Sequence, residues 1–376
     1  MQTADILIIG AGMAGASAAY YLAPHAKLII LEGEAQPGYH TTGRSAAMYV
    51  ESYGNATIRA LTTASKDFFY HPPAGFAEHP LLTPRGALIV GNEAHRAKLR
   101  QIWAEMRALV SDIEWWEQAE LLRRVPVLRA EAAACAVHEP RAMDMDVHAI
   151  HQGFLRGAKA AGAQLVCDAA VTQLTRQGAV WQAHTRAGAF SAPVVINAAG
   201  AWCDELARMA GVAPIGLVPK RRTAFTFEAP VGVNFADWPI VIDADEQFYF
   251  KPEAGLLMGT PANEDPVPPQ DVQPEELDVA LGVDRIEQAT TLQVRRVRRK
   301  WAGLRSFVAD KTTVAGFAPD AQGFFWLAGQ GGYGIQTAPA MGELTAALVR
   351  GLPMPPAIAA FGVRAEDLSA DRAGLG

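Results

Sequence analysis

Long apolar runs alternate with short glycine-rich turns along this chain, and the runs predict the strands of a buried sheet. Residues 4–9 and 27–31 are apolar without polar alternation, which is typical of strands covered on both faces. A helix of small residues, expected over 14–22, connects them and completes a βαβ unit. Three later runs show the same pattern, and the strands that they predict are 164–168, 193–196 and 324–328.

Other parts of the chain follow two different periods. Residues 217–260 alternate apolar and polar positions, with phenylalanines two residues apart, and so predict antiparallel strands with one exposed face. A hairpin is expected near 170–191, and a proline-rich linker occupies 261–274. Helical spacing predicts helices over 93–109, 117–124, 146–162, 275–290 and 335–350.

This order of elements predicts an α/β protein of two domains. A Rossmann-like domain would hold the parallel strands, which occur near the start, the middle and the end of the chain. An α+β domain with a mixed or antiparallel sheet would hold the rest. We expect the Rossmann-like domain to comprise 1–82, 145–210 and 300–376. The second domain, inserted twice, would comprise 83–144 and 211–299.

Composition limits the class of protein without choosing its function. Half of the 376 residues are apolar and 19% are charged, so the chain can build a large core, and intrinsic disorder is excluded. The net charge of −6 disfavours a protein that binds nucleic acid over its whole surface. Residues 295–300 form a strongly basic run, which a solvated face explains better than RNA contact. Three widely separated cysteines favour a reducing, cytoplasmic location.

An uncharged stretch near the start raises the question of a membrane span. Residues 6–26 contain no Asp, Glu, Lys or Arg, and they are long enough to cross a bilayer. Small residues fill the centre of the stretch, however, and no basic segment precedes it. A strand, a turn and a helix inside the Rossmann-like domain therefore explain it better.

The turn after the first strand carries a dinucleotide-binding pattern. Gly10, Gly12 and Gly15 follow a strand and open a helix, and Glu32 ends the next strand. These glycines permit a tight turn, close approach of a pyrophosphate and close packing of the helix on the sheet, while the helix N-terminus offers free N–H groups. Glu32 can accept hydrogen bonds from both ribose hydroxyls of such a cofactor. The pattern predicts a dinucleotide without choosing which one.

A second glycine cluster favours a flavin. Residues 329–336 follow the buried run 324–328 and precede the C-terminal helix. The positive end of that helix would face another part of the cofactor. A reduced flavin carries negative charge on the N1–C2=O edge of its ring and benefits from such a partner, whereas a nicotinamide ring does not.

Together with other segments, these motifs resemble those of the D-amino-acid oxidase family of FAD-dependent oxidoreductases over nearly the whole chain. The other matching segments are 38–45, 197–202, 301–305 and 331–336. The segments most similar to the D-arginine dehydrogenases within that family are 37–47, 220–222, 306–310 and 334–337. The resemblance implies FAD as the cofactor, with the Rossmann-like domain binding FAD and the second domain binding substrate.

The resemblance also assigns roles by position. The FAD contacts that it implies are Gly10, Gly12, Ala14, Gly15, Glu32, Thr42, Gly43, Arg44, Ser45, Ala46, Val171, Gly200, Trp202, Gly331, Gly332, Tyr333, Gly334, Ile335 and Gln336. Arg222 and Arg305 match positions that bind the substrate carboxylate, for which a planar guanidinium is well suited. Tyr53 and Tyr249 lie alongside them. These four side chains form the expected catalytic set.

The resemblance further implies a substrate pocket, with two departures from the arginine-specific members. The expected pocket residues are Met48, Val50, Ala87, Ile242, Gly332 and Gln336. An arginine-specific member would carry an acidic side chain in place of Ala87 and a histidine in place of Met48. Both differences remove polarity, and burying a guanidinium without a carboxylate is strongly disfavoured. We therefore expect a preference for apolar D-amino acids.

The implied reaction moves a hydride from the substrate Cα to flavin N5, and the imino acid then hydrolyses to a 2-oxo acid and ammonia. The expected partners are a small-molecule amino acid and an electron acceptor. The acceptor is left open between a quinone, another acceptor and oxygen. Neither nucleic acid nor a membrane span is expected. Two alternatives stay open: a glycine or sarcosine (N-methyl amino acid) oxidase, and an RNA-modifying flavoprotein that uses the basic run. His148 and His151 lack further metal ligands nearby and are expected on a helix surface, so no metal is expected.

Overall fold

Strands and helices follow one another along the chain much as the sequence pattern predicts. The computed structural model describes residues 1–375. The strands, numbered in chain order, are β1 (Gln2–Thr3), β2 (Ile6–Ile9), β3 (Leu28–Leu31), β4 (Met48–Tyr49), β5 (Leu82–Pro84), β6 (Ala87–Gly91), β7 (Glu114–Glu117), β8 (Cys135–Glu139), β9 (Met143–Met145), β10 (Gln164–Val166), β11 (Val171–Gln177), β12 (Val180–Thr185), β13 (Gly188–Ala192), β14 (Val194–Asn197), β15 (Val218–Phe227), β16 (Ile240–Asp243), β17 (Tyr249–Glu253), β18 (Leu256–Thr260), β19 (Asp265–Pro266), β20 (Val297–Phe307), β21 (Val314–Phe317) and β22 (Phe324–Ala328).

The α-helices within residues 1–375 range from four to fourteen residues in length. They are α1 (Met13–Leu22), α2 (Ala56–Ala64), α3 (Lys66–Tyr70), α4 (Arg96–Leu109), α5 (Gln118–Arg124), α6 (Val147–Ala160), α7 (Cys203–Met209), α8 (Glu276–Ala289), α9 (Ala338–Val349) and α10 (Pro356–Ala359). Short 3₁₀ helices occupy Thr42–Arg44, Glu93–His95, Gly200–Trp202 and Ala365–Leu368.

A six-stranded sheet forms the Rossmann-like part of the molecule. Its strand order is β10-β3-β2-β14-β22-β21, and every neighbouring pair is parallel except β21 with β22. Because β2, β3, β14 and β22 are parallel, their carboxyl ends meet at one edge of the sheet. The first glycine turn, Glu32, the segment 198–202 and the second glycine cluster all follow these ends, so the sheet topology gathers them.

The apolar strands of this sheet are covered on both faces, as their lack of alternation predicts. Leu7 and Ile9 face a four-stranded sheet with the order β1-β13-β12-β11, whereas Ile6 and Ile8 face helices α1 and α9. Small residues let α1 and α9 approach closely: a Cβ on Gly342 of α9 would lie 2.7 Å from a backbone oxygen of α1. The six-stranded sheet therefore lies between a second sheet and a helical layer, with one hydrophobic core on each of its faces.

A nine-stranded sheet forms the other large part of the molecule. Its order is β19-β15-β18-β17-β16-β6-β8-β7, with β20 paired to β15, and its pairs are antiparallel except β6 with β16. Three short strands form a small antiparallel sheet in the order β4-β9-β5. The mixed α/β class with a Rossmann-like sheet and a mixed, mainly antiparallel second sheet is thus confirmed.

Three of the expected domain boundaries fall inside strands, because 82/83 divides β5, 144/145 divides β9 and residue 300 lies within β20. The boundary at residue 300 falls inside β20, which pairs with β15 of the nine-stranded sheet along nearly its whole length. A boundary after Phe307 keeps this sheet intact. The division into two domains with the remaining boundaries stays a prediction.

The uncharged stretch 6–26 contains β2, the glycine turn and the ten-residue helix α1. No helix within residues 1–375 has both the length and the apolar character that crossing a bilayer requires. Helices α2 and α3 were not among the helices expected from the sequence. The side chain of Asn55 caps α2 by accepting from the N–H of Ile58, and tertiary packing stabilises the rest.

Candidate functional site

The first glycine turn forms an anion-binding helix terminus. Gly10 has a φ of +102°, and a Cβ there would lie 2.4 Å from the carbonyl oxygen of Ala198, so glycine is required. Helix α1 starts at Met13 without a side-chain cap from Gly12, and the next N–H groups of the helix have no intrahelical acceptor. Such an N-terminus attracts a phosphate through its free N–H groups and its dipole.

Glu32 stabilises this turn in addition to any role toward a cofactor. Its carboxylate accepts hydrogen bonds from the N–H groups of Ala11, at 2.9 Å, and Glu34, at 3.0 Å. Thr42 acts similarly from the neighbouring loop, since its hydroxyl accepts from the N–H of Met13 at 3.0 Å. The turn is therefore held in shape by two side chains from distant positions.

The second glycine cluster packs against β20. Gly331 has a φ of +50°, and a Cβ there would lie 2.2 Å from the ring of Phe307. Its N–H donates to the carbonyl of Ser306 at 3.0 Å. Gln336, at the end of the cluster, accepts from the N–H of Val50 at 3.2 Å and donates to the hydroxyl of Thr62 at 2.9 Å. The cluster thus connects the two large sheets with the segment that follows β4.

A cavity of about 470 Å³ lies between the two glycine segments and the nine-stranded sheet. Most of the residues expected from the sequence border it. They are Gly12, Ala14, Thr42, Ser45, Ala46, Met48, Val50, Tyr53, Ala87, Gly200, Arg222, Ile242, Tyr249, Arg305, Gly331, Gly332, Gly334, Ile335 and Gln336. Positions from both expected domains therefore come together around one space.

Arg305 is a charged group in this cavity that has no anionic partner among residues 1–375. Strand β20 presents its side chain toward the cavity, and protein encloses it elsewhere. Within residues 1–375 no carboxylate oxygen lies within 4.0 Å of this guanidinium, and its one side-chain contact is a long 3.5 Å hydrogen bond to the hydroxyl of Tyr249. An enclosed cation without a counter-ion is costly, so the arrangement favours an anion in the cavity.

Arg222 borders the same cavity but already has an anionic partner. Its Nη2 lies 3.1 Å from a carboxylate oxygen of Glu264, and its Nε donates to the carbonyl of Asn263 at 2.8 Å. Lys220 binds the other oxygen of Glu264 at 3.1 Å. Arg222 therefore has less unsatisfied charge to offer a ligand than Arg305 has.

The two tyrosines of the expected set differ in their surroundings. Burial alone would raise the pKa of Tyr249, but the guanidinium groups of Arg305 and Arg222 outweigh it and leave the pKa below its ordinary value. Tyr53 is exposed, and its ring centroid is 4.9 Å from that of Tyr333. Tyr249 is thus a hydrogen-bond donor polarised by two cations, whereas Tyr53 stands at the mouth.

Apolar side chains form the wall beside these polar groups. Met48, Val50 and Ile242 pack together with the buried Ala87 and with Tyr249. Ile89 and Ile102 extend the apolar surface along the cavity. The wall would accommodate an apolar group better than a charged one.

Other expected cofactor contacts point elsewhere. The guanidinium of Arg44 pairs with Asp271 and donates to the carbonyl of Val272 at 2.9 Å, which fastens the 3₁₀ helix to the proline-rich linker. The ring of Trp202 packs on His40, with 4.7 Å between centroids. Side chains of both residues therefore contact protein and do not border the cavity.

Five further expected positions do not border the cavity. Val171 begins β11 opposite Thr185, away from the cavity. Tyr333 is buried between the rings of Tyr53 and Phe307. The remaining expected positions, Gly10, Gly15 and Gly43, allow close backbone packing of the turns. Their contacts with a cofactor stay predictions.

His151 corrects the expectation of a surface histidine. It is buried, and its Nε2 lies 2.7 Å from the carbonyl oxygen of Ala11 in the glycine turn. Burial lowers its pKa, so the neutral ring is favoured. In the part of the chain that the structure describes, no three His, Cys, Asp or Glu side chains come together as a metal-binding group.

Several cavity residues escaped the sequence reasoning. Gln330 lies in the second glycine cluster, and its buried Nε2 has no hydrogen-bond partner among residues 1–375. Glu139, Ser52 and Arg59 also border the cavity. Gln330 could have been found from its place in the cluster, whereas no local pattern marks the other three.

The residues present fit FAD. The N-terminus of α1, where Thr42 occupies only the N–H of Met13, can receive phosphate, and the free Nε2 of Gln330 can donate to a carbonyl or ring nitrogen. Gly200 has a φ of +58° with open space where a Cβ would point, so a ligand can approach its backbone.

Comparisons with known proteins agree with this geometry. The family model described as "DAO: FAD dependent oxidoreductase" matches residues 5–348. The chain is 25% identical to hydrogen cyanide synthase subunit HcnC of Pseudomonas aeruginosa, over 96% of this chain and 95% of that protein. It is also 25% identical to the glycine oxidase of Geobacillus kaustophilus, over 92% of each protein.

Solved structures show the same fold. A crystal structure of glycine oxidase from Geobacillus kaustophilus matches with a TM-score of 0.79 at 22% identity, over 94% of this chain and 96% of that chain. L-α-glycerophosphate oxidase from Mycoplasma pneumoniae, with FAD bound, matches with a TM-score of 0.83 at 19% identity, over 93% of this chain and 95% of that chain.

Proposed function

The chain belongs to the DAO family of FAD-dependent oxidoreductases, and on that premise we propose that it oxidises apolar D-amino acids to 2-oxo acids and ammonia. The observation that carries the proposal is Arg305, an enclosed guanidinium without a counter-ion in a cavity beside both glycine segments. An amino acid brings the carboxylate that this group lacks. FAD, when bound, accepts the electron pair that leaves the substrate.

The protein's own residues would bind and orient the substrate. Arg305 can hold the carboxylate through two parallel N–H donors, and the hydroxyl of Tyr249 beside it can donate to the same anion. The side chain of the substrate would then lie against the apolar wall around Met48 and Ile242. Binding at two points fixes the Cα–H direction, which is the main contribution expected where the cofactor does the chemistry.

The choice of D-amino acids rests on the resemblance of segments such as 220–222 and 306–310 to the D-arginine dehydrogenases. The choice of apolar side chains rests on Ala87 and Met48, which stand where an arginine-specific enzyme needs polar groups, and on the wall that they form. Neither Ala87 nor Met48 can compensate a substrate guanidinium for the hydration that it would lose against this wall.

Glycine or sarcosine is the second candidate substrate. Its support is the 25% identity to the glycine oxidase of Geobacillus kaustophilus. Such a small substrate would use Arg305 but would leave the apolar wall without a contact. The wall is therefore the feature that favours the larger D-amino acids.

Anaerobic reduction of the bound flavin tests these proposals. Purified protein with FAD is mixed with D-leucine, D-methionine, D-phenylalanine, D-arginine, L-leucine, glycine or sarcosine, and the loss of visible flavin absorbance is followed. We expect the three apolar D-amino acids to reduce the flavin fastest. Faster reduction by glycine or sarcosine would favour the second candidate, and a kcat/KM for D-arginine about tenfold above the others would refute the apolar preference.

The remaining expectations are unchanged as predictions. Two cations of the basic run already pair with carboxylates, Arg298 with Glu228 and Lys300 with Glu276, which supports a solvated face. We also retain two predictions. The electron acceptor is a quinone, another acceptor or oxygen, and the location is cytoplasmic. Admission of air after anaerobic reduction would show whether oxygen reoxidises the flavin.

A further inference from the structure

Glu139 is a buried carboxylate at the end of β8 with a specific set of partners. It is 1% exposed, and it borders the cavity. One carboxylate oxygen accepts from the N–H of Glu51 at 3.1 Å, and the other accepts from the hydroxyl of Ser52. Both partners belong to the segment 50–54, which follows β4 and carries Tyr53. Glu139 therefore connects the nine-stranded sheet directly to this segment.

The same segment is held from the opposite side by the second glycine cluster. Gln336 accepts from the N–H of Val50 at 3.2 Å. At the other end, Gly54 packs against Ile58 of α2 so closely that a Cβ would lie 2.7 Å from that side chain. The backbone of 50–54 thus depends on a few side chains, and Glu139 supplies hydrogen bonds to it from the nine-stranded sheet.

Glu139 also lies beside the apolar wall. It is the cross-strand partner of Ala87, so the two side chains project to the same face of the sheet. The small side chain of Ala87 leaves room for the longer carboxylate to reach the segment 50–54. Burial raises the pKa of Glu139, and the protonated form still offers a carbonyl oxygen to the N–H of Glu51.

Resting on the proposed function, we propose that Glu139 is a positioning residue that holds the segment 50–54, and with it Tyr53, against the substrate. It acts through the segment and does not contact the reacting atoms. In the structure the Tyr53 hydroxyl lies near both Gly332 and Arg305, because a Cβ built on Gly332 would be 3.3 Å from that hydroxyl and 3.2 Å from Nη1 of Arg305. Loss of the two hydrogen bonds of Glu139 would let Tyr53 move away from these residues. Substrate binding would weaken, whereas FAD binding would change little.

The test compares Glu139→Ala with Glu139→Gln in the complete FAD-loaded protein. The amide of glutamine can accept from the N–H of Glu51 and donate to the hydroxyl of Ser52, so it restores both hydrogen bonds without a charge. Glu114→Gln serves as the matched control. Glu114 forms a hydrogen bond with His138, which precedes Glu139 on β8, and Glu114 does not border the cavity. Kinetics with D-leucine, the Kd of benzoate from its effect on the flavin spectrum, and the Kd of FAD are measured.

We expect Glu139→Ala to raise KM for D-leucine and the Kd of benzoate about tenfold while the Kd of FAD changes less than about twofold. Glu139→Gln should recover most of this loss, and Glu114→Gln should behave as the unchanged protein does. Ser52→Ala removes the hydrogen bond that the Ser52 hydroxyl donates to Glu139, so it tests the same link from the segment 50–54. It should raise KM about threefold, and it provides the test if Glu139→Ala does not fold.

A double-mutant cycle with Tyr53→Phe shows whether the effect passes through the segment. The tenfold effect of Glu139→Ala should shrink to less than about threefold in the Tyr53→Phe background. A full effect in that background, an equal loss in Glu139→Gln and Glu139→Ala, or a loss confined to FAD binding would overturn the proposal. If no amino acid reduces the unchanged protein, the proposed function fails, but the benzoate measurement still decides the role of Glu139.

Discussion

Arg305 should limit the stability of the protein at the same time as it enables substrate binding. Replacement of Arg305 by Met removes an enclosed charge that has no carboxylate within 4.0 Å in residues 1–375, and it keeps a similar volume in β20. Loss of a hydrogen-bonded partner for a carboxylate costs about 3 kcal/mol, which corresponds to a decrease of about 10²-fold in kcat/KM. The free energy of unfolding without substrate should rise by about 1 kcal/mol, since an uncompensated charge is removed.

Arg221 provides a matched control on the strand next to Arg305. It is 8% exposed, and its Nε donates to Asp278 at 2.9 Å. Arg221→Met would leave Asp278 buried without its cation, so we expect a loss of about 3–5 kcal/mol in the free energy of unfolding. Two arginines on neighbouring strands should therefore change stability in opposite directions.

Urea unfolding of both variants and kinetics with D-leucine measure these effects. Thermal unfolding with benzoate adds a third readout, because a carboxylate should raise the melting temperature of the unchanged protein and leave that of Arg305→Met unaffected. The reasoning would be refuted if Arg305→Met destabilised the protein as strongly as Arg221→Met does, or if it kept its response to benzoate.

Three further outcomes are expected. Gly331→Ala should lower the free energy of unfolding by about 2 kcal/mol or more and weaken FAD binding, because φ is +50° and the new Cβ would collide with Phe307, as urea unfolding and FAD titration would show. Because burial lowers the pKa of His151 below 6.5, its contribution to the free energy of unfolding should be fully present above pH 6.5 and should be lost as the pH falls through the lowered pKa. His151→Gln can still donate to Ala11, so urea unfolding of this variant should depend less on pH. An unchanged pH dependence would contradict the assignment. Met48→Glu should raise kcat/KM for D-arginine relative to D-leucine about tenfold, because it adds a carboxylate to the apolar wall at a position that is not the cross-strand partner of Glu139, and an unchanged ratio would place the substrate side chain elsewhere.

The pattern of the first thirty-two residues was enough to predict the βαβ unit that begins the Rossmann-like sheet. Continuous apolar strands must be covered on both faces, and a βαβ crossover forces them to be parallel, so the glycine turn and Glu32 had to meet at one edge of a sheet. The run 324–328 and the cluster after it carried the same information about the other end of the chain. These inferences succeeded because each depends on neighbours within a few residues.

Pairing between distant side chains could not be inferred in this way. Arg222 and Arg305 looked equivalent in the sequence, but only the pairing of β15 with β20 and the position of Glu264 show that one is neutralised and the other is not. His151 looked like a surface residue because its partner, the carbonyl of Ala11, is 140 positions away.

The sequence by itself determined the dinucleotide turn, the strand types and the class of fold, since local periodicity and backbone sterics are written in consecutive residues. Tertiary structure alone decided which charges remain unpaired in the cavity and that Glu139 holds the segment carrying Tyr53. The physical reason is that hydrogen bonding and desolvation depend on which groups meet in space, and strands far apart in the chain bring those groups together.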